Sequence, residues 1–559
     1  MAEDTYDAIV IGSGISGGWA AKELTEKGLR TLLLDRGKNV EHIKGYINAN
    51  KDPWQFPHRG GRTQEMIENY PVLKRDYVLN ETNLDFWAVD KDNPYTEIKR
   101  FDWFRGYQVG GRSLTWGRQS YRLGDLDFEA NLKEGIGVDW PIRYKDISPW
   151  YSYVEKFAGI SGSVENFPSL PDGDFQPPME MNCVEKDVAA RIKAKYIGKR
   201  SMFIGRTANL TAPLKGRTNC QYRNKCWLGC PFGAYFSTQS STLPAAVATG
   251  HLTLRPFSIV TRILYDKDTQ KAKGVEILDA ETNQTYQYFS KIVFVCASAL
   301  NSAWVLMNSA TDIWPAGLGS SSGELGHNVM DHHLGVGASG WVEGYEDKYY
   351  FGRRPNGFYV PRFVNILGDK RDYLRGFGYQ GGASRSGWER TVAEYAIGAK
   401  FKEALMEPGV WTIGMGGFGE TLPYHENRVF LDKTVKDKWG LPVLAMDCEL
   451  KENELKMRQD MRDEGAAMLE AAGVKDVKAG IGEYGFGMGI HEMGTARMGR
   501  DPKTSVLNEW NQVWDAKNVF VTDGAAMTSA GCVNPSLTYM ALTARAVHYA
   551  VAELKKQNL

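Results

Sequence analysis

The chain carries no excess charge of either sign, since 67 Lys and Arg offset 67 Asp and Glu. That balance gives no electrostatic reason for nucleic acid or an anionic membrane as partner. No apolar run approaches the ~18 residues that a helix needs to cross a bilayer, so no direct membrane span is expected. The opening, MAEDTYDAIVIGSG, has neither a basic n-region nor a cleavage site and taken alone reads as cytoplasmic. Internal repeats and low-complexity tracts are missing. Cysteine is scarce: the seven are Cys183, Cys220, Cys226, Cys230, Cys296, Cys448 and Cys532, and they form no disulfide framework. Histidine is scarce too, with nine in 559 residues, which makes each candidate proton carrier easy to weigh.

What is present is an ordinary globular composition, 43% hydrophobic and 24% charged, in a chain long enough for two domains or one elaborated one. The 16 Trp and 27 Tyr suit carbohydrate rings, although aromatics also simply fill large cores. Residues Tyr6 to Ile11 read as a buried strand, Ile15 to Lys27 as a helix and Leu29 to Asp35 as a second strand. Between strand and helix stand Gly12, Gly14 and Gly17 as G-x-G-x-x-G. The first permits a tight turn, the second lets a pyrophosphate approach the backbone, and the third lets helix and strand pack closely. The helix N-terminus offers free N–H groups to phosphates. Asp35 follows Gly12 by 23 residues, where a carboxylate takes ribose hydroxyls. A dinucleotide is therefore expected, FAD and NAD being undivided by this motif.

Further along, KIVFVCA (291–297) reads as a strand followed by a helix, residues 336–486 as sheet with a charged helix near Glu452 to Ala472, NVFVT (518–522) as a strand, and Pro535 to Lys555 as a closing helix. The nucleotide domain is thus expected to be discontinuous: residues 1–335 and 487–559 around a substrate domain at 336–486. The segment YQVGGRSLTWG (107–117) places Gly110, Gly111 and Ser113 in a turn that a flat ligand could approach, and Asp523-Gly524 follows a strand. The loop NCQYRNKCWLGCPFGAY, inside residues 215–240, spaces Cys220, Cys226 and Cys230 as C-x5-C-x3-C-P. Three thiolates ending in Cys-Pro suit an iron–sulfur cluster, zinc normally wants a fourth ligand, and three unrelated thiols remain open. His332 and His333, in GHNVMDHHLG, read as a structural loop, because adjacent side chains diverge and no third ligand is in reach.

In order along the chain, GSGISGG, VGGRSLTWG, CASALNS (296–302), HEMGTARMG (491–499) and TDGAAMTSAGCVNPSLT (522–538) resemble the glucose-methanol-choline oxidoreductases. The resemblance implies an α/β fold, with a Rossmann-type FAD-binding domain and a sheet-based α+β substrate domain. Some members attach the flavin to a His in the segment matching GGRSLTWG; Leu114, Thr115 and Trp116 stand here, so non-covalent FAD is expected. It also implies that His491 and Asn534 face the flavin as a pair. An imidazole suits the general base because its pKa lies near neutrality, and Asn534 is expected to hold the substrate hydroxyl. Within the family the chain is similar to bacterial sugar dehydrogenase catalytic subunits that carry a three-iron, four-sulfur cluster on three Cys, matching Cys220, Cys226 and Cys230. Its wording is most like the glucoside 3-dehydrogenases, with gluconate 2-dehydrogenase-like subunits, other polyol dehydrogenases and an oxygen-using sugar oxidase as alternatives. Further expectations from that resemblance are a sugar substrate, a small export or chaperone subunit, a c-type cytochrome acceptor, and export to the periplasm with the partner, despite the cytoplasmic look of the N-terminus.

Overall fold

A computed structural model describes residues 4–349, 354–386, 397–406 and 409–559. Residues 350–353, 387–396 and 407–408, inside the block expected to hold the substrate, lie outside the described residues. The aliphatic strand Thr5–Ile11 sits in the middle of a parallel array, paired with Thr31–Leu34 on one side and Thr285–Val295 on the other. Leu252–Arg255 extends the first side and Ala516–Val521 the second, all parallel. Val10 lies in register with Leu33 and with Phe294, and all three are fully buried. Strands covered on both faces read as unbroken aliphatic runs, which is why four of these five are visible in the sequence; the half-exposed edge strand Leu252–Arg255 is not. Helix Ile15–Glu26 is covered by the closing helix Ser536–Lys555, whose buried stripe runs from Leu537 through Met540, Ala544 and Val547 to Val551.

Strand order reverses at Thr5–Ile11, so the carboxyl ends of the parallel strands open a crevice there. Gly12, Asp35, Cys296 and Asp523 all stand at such ends and all border one cavity of about 380 Å³. A hairpin of Ser258–Asp266 and Lys271–Asp279, absent from the expectations, lengthens Thr285–Val295 at its start. Its alternating exposed residues carry a half-buried, antiparallel pattern that an apolar-run search passes over.

A second sheet is antiparallel: Lys475–Ile481, Val336–Val342, Trp411–Glu420, Phe377–Arg385, Phe358–Val360 and Phe203–Ile204. Helix Glu452–Ala471 buries Met457, Met461, Met468 and Leu469 against it. Helix Cys183–Lys195 joins the same core through Val184, Val188 and Ile192. Residues 183–204, far ahead of the 336–486 block in sequence, are therefore part of this second layer in space. His332–His333, expected in a loop, is a short strand paired with Gly419 and Glu420. Among the described residues no helix is long and apolar enough to cross a membrane.

Candidate active site

The nucleotide end is built from backbone. Gly12 turns the chain at φ +89°, and a Cβ there would lie 2.6 Å from the Cys296 carbonyl oxygen. Gly17 does not border the cavity; a Cβ on it would stand 1.8 Å from the Gly12 carbonyl oxygen, so it lets helix and strand touch. Gly14 is different. A Cβ there would meet nothing within 4 Å, and the space it would enter is the cavity itself. Gly14 also caps helix Ile15–Glu26 with no side-chain acceptor, leaving first-turn N–H groups for an anion. These features fit a dinucleotide pyrophosphate.

Asp35 borders the cavity, but the protein already engages both of its oxygens. Oδ2 accepts from the Ser13 amide at 3.1 Å and from the Ser13 hydroxyl, and Oδ1 accepts from the Gly37 amide at 3.0 Å. It braces the glycine turn as well as bordering the cavity. Burial pushes its carboxyl up, against the donors that favour the charged form. The Gly110 amide donates to Ser13 Oγ at 2.8 Å, and Gly110 itself packs on Gln239 rather than on the cavity. Gly111 and Ser113 do border it, as do Leu34, Trp116 and Gly524. Ser113 Oγ accepts from the Thr238 amide at 3.1 Å. Asp523 caps the turn Gly524–Ala526 through Oδ1 at 3.0 Å from the Ala525 amide, Oδ2 accepts from Ser302, and burial raises its pKa to about 6.

The other functional end is built from side chains. His491 and Asn534 meet on the wall of the same cavity, His491 Nε2 standing 3.2 Å from Asn534 Nδ2. Gln380, from the second sheet, donates to Asn534 Oδ1, which turns the Asn534 amide nitrogen toward the imidazole. Gln380 was not anticipated; its only local signal is a polar residue in a glycine-rich strand, GYQGG. His491 is half-buried because one edge borders the cavity, and enclosure on its other sides pulls its pKa well below the ordinary value, with His332 and Arg112 adding to the effect. The imidazole is neutral at pH 7 and able to accept a proton. Arg112 forms a two-pronged ion pair with buried Glu492 beside it, a pairing that the sequence pattern did not signal.

The three clustered cysteines are unpaired and half-buried. Cys226 opens the turn Cys226–Leu228, and the next residue, Trp227, borders the cavity and meets Tyr77 edge-on at 6.0 Å. Burial pushes the Cys220 thiol up to about 11, Cys226 and Cys230 acting in the same direction. Among the described residues, no group of three or more His, Cys, Asp and Glu is drawn together tightly enough for a single metal ion. The surroundings nevertheless suit an anion. Arg118 and Arg217 are buried within electrostatic reach of Cys220 and Cys230, and their Nε and Nη2 atoms respectively lack any partner. Buried cationic N–H groups left unsatisfied are costly, and positive charge at this burial fits an anionic group on the thiols.

Comparison with known proteins agrees with this layout. Residues 6–334 and 423–543 match the two parts of the family profile described as GMC oxidoreductase. The chain is 29% identical over 571 residues to a 2-methyl-1,2-propanediol dehydrogenase of Mycolicibacterium austroafricanum, covering 98% of this chain and 95% of the relative. It is 26% identical over 584 residues to the fructose dehydrogenase large subunit of Gluconobacter japonicus, covering all of both. Among solved structures, pyridoxine 4-oxidase from Mesorbium loti superposes with a TM-score of 0.59 at 15% identity, over 98% of this chain and 99% of the other; at that identity the likeness concerns the fold.

Proposed function

The chain belongs to the GMC oxidoreductase family, and from that premise we propose that it is a FAD-dependent sugar dehydrogenase that oxidises a ring hydroxyl, C3 of a glucoside or disaccharide. Membership makes it an oxidoreductase acting on CH–OH donors. The observation that carries the proposal is the His491–Asn534 pair on the wall of the cavity that the glycine turn also enters. FAD, when bound, supplies the acceptor for the hydride that leaves the substrate carbon. Gly12, Gly14, Asp35, Gly111, Ser113, Asp523 and Gly524, which border the cavity, would hold it. No His stands at 114–116, which supports non-covalent attachment.

The chain's own residues handle the proton and the alignment. His491 Nε2 takes the hydroxyl proton as the C–O bond becomes a carbonyl. Asn534, held by Gln380, hydrogen-bonds the same oxygen and keeps it in line. Cys220, Cys226 and Cys230 would hold a three-iron, four-sulfur cluster, which would supply one-electron transfer toward a c-type cytochrome; the partnerless nitrogens of buried Arg118 and Arg217, side chains within electrostatic reach of Cys220 and Cys230, support this. Likeness to a protein named as a large subunit favours a small companion subunit, and with it export to the periplasm.

The test is an absorption and spin-resonance spectrum of protein purified without oxygen, followed by titration with glucosides, disaccharides, fructose and gluconate. Flavin bleaching by a glucoside, with iron and acid-labile sulfide present and no peroxide formed in air, is the expected result. Iron-free protein that makes peroxide with sugar is instead an oxidase. His491→Ala should lower the turnover rate by ~10²–10⁴ with the flavin retained; near-normal turnover would remove His491 as the base.

A further inference from the structure

We propose that His332 is a positioning residue that fixes His491 in its proton-accepting tautomer. The inference rests on the reading of His491 as the base and adds a partner to it. His332 Nε2 lies 2.7 Å from the Gly531 carbonyl oxygen. A carbonyl only accepts, so Nε2 carries the proton. Burial holds the His332 pKa down, the ring is neutral, and Nδ1 is therefore a bare lone pair. That lone pair faces His491 Nδ1 at 2.8 Å, the two rings standing nearly perpendicular. Two bare nitrogens at that distance would repel, so His491 donates from Nδ1. Its Nε2 is then bare, on the cavity side, where Asn534 stands. Which ring nitrogen carries the proton is set by the hydrogen bond of the other.

The distance between the rings is held independently. One oxygen of buried Asp331, Oδ1, accepts both the His332 amide at 2.8 Å and the His491 amide at 3.0 Å, while Oδ2 accepts from the Gly489 amide at 3.0 Å. The charged groups around the pair do not compete for the shared proton. Arg112, which faces His491, is engaged by Glu492; Glu420, which faces His332, lies 3.4 Å from Arg375. Arg458 donates to the Leu334 and Gly482 carbonyls, and the neighbouring His333 is neutral.

The test uses full-length protein with ¹⁵N-labelled histidine, the His491 signals being identified by their loss in His491→Gln. The expected wild-type pattern is a protonated Nδ1 and a bare Nε2 on His491. His332→Asn, whose Oδ1 takes the place of the accepting nitrogen, should keep that pattern; His332→Leu, which offers no acceptor, should lose it. In anaerobic stopped-flow reduction of the flavin by a sugar that bleaches the wild-type protein, His332→Leu should slow the limiting rate about 10²-fold with little change in half-saturation, and His332→Asn by about 10-fold or less. Flavin content and melting temperature of both variants serve as the control for folding. A wild-type His491 protonated on Nε2 overturns the proposal, and that measurement needs no His332 variant. Equal slowing in both variants, or none in His332→Leu, overturns it as well. If His491→Gln itself reduces at the wild-type rate while the tautomer pattern holds, the base assignment fails and the positioning geometry stands.

Discussion

The two functional ends of the cavity are made by opposite means. At the glycine end, six consecutive residues, Gly12 to Gly17, and Asp35 do the shaping through backbone angles and missing Cβ atoms. At the imidazole end, His332, Gln380, His491 and Asn534 come from four separate stretches, and the bonds that join them span 43 to 159 residues of sequence. The first end is prepared by what short sequences cannot help doing. The second exists only after both sheets have formed, and its chemistry resides in which nitrogen holds a hydrogen.

The sharpest way to break this contrast is at Gly17. With 1.8 Å between its missing Cβ and the Gly12 carbonyl, Gly17→Ala should cost ~3 kcal/mol or more of stability, read as a fall in denaturation midpoint and loss of flavin together. Gly14→Ala should separate these effects. Its Cβ meets no protein atom within 4 Å, so the apoprotein should keep its stability to within ~1 kcal/mol, whereas its affinity for FAD in a titration should fall at least ~10-fold. Equal stability losses in the two variants would mean that the glycine end is not divided into a packing and a ligand position.

At the imidazole end the expected effects are those of protons. Because enclosure pulls the His491 pKa well below 6.5, the base stays unprotonated as pH falls through that value. The rate of flavin reduction should be flat from pH 7.5 to 6.5 and decline only at lower pH, at most ~10-fold per unit; a midpoint at or above 6.5 would contradict the enclosure. The smallest effect belongs to His333, buried with neither ring nitrogen partnered. His333→Met should be neutral or stabilising by ~1 kcal/mol and leave flavin reduction unchanged. Burial holds the folded His333 pKa well below its unfolded value of 6.5, so the unfolded chain takes up that proton first as pH falls. Wild type should therefore lose up to ~1.4 kcal/mol per pH unit below 6.5 relative to His333→Met in paired urea melts.

The sequence made the glycine end legible because each of its signals is local: a buried aliphatic strand, three glycines at fixed offsets and a carboxylate at the end of the next strand. His491 and Asn534 were legible only through family wording, since nothing in either segment announces that they meet. His332 reads as structural in the sequence, because two adjacent histidines with no third ligand in reach make no metal site. Its partner is another imidazole 159 residues away, and no spacing rule reaches that far. The strand Phe203–Ile204 is illegible in sequence for a related reason: it has two residues, too few for a period, and acquires its register only from Phe358 and Tyr359.

The short strand His332–His333 has one further consequence. It is laddered to Gly419 and Glu420, at the end of a strand whose Phe418 borders the cavity. The cavity wall at Phe418 and the residue proposed to orient His491 thus share one run of backbone hydrogen bonds. Remodelling that wall for a bulkier sugar by sliding the strand would drag His332 with it, so new specificities are more readily reached by exchanging side chains on a fixed ladder than by moving the ladder itself.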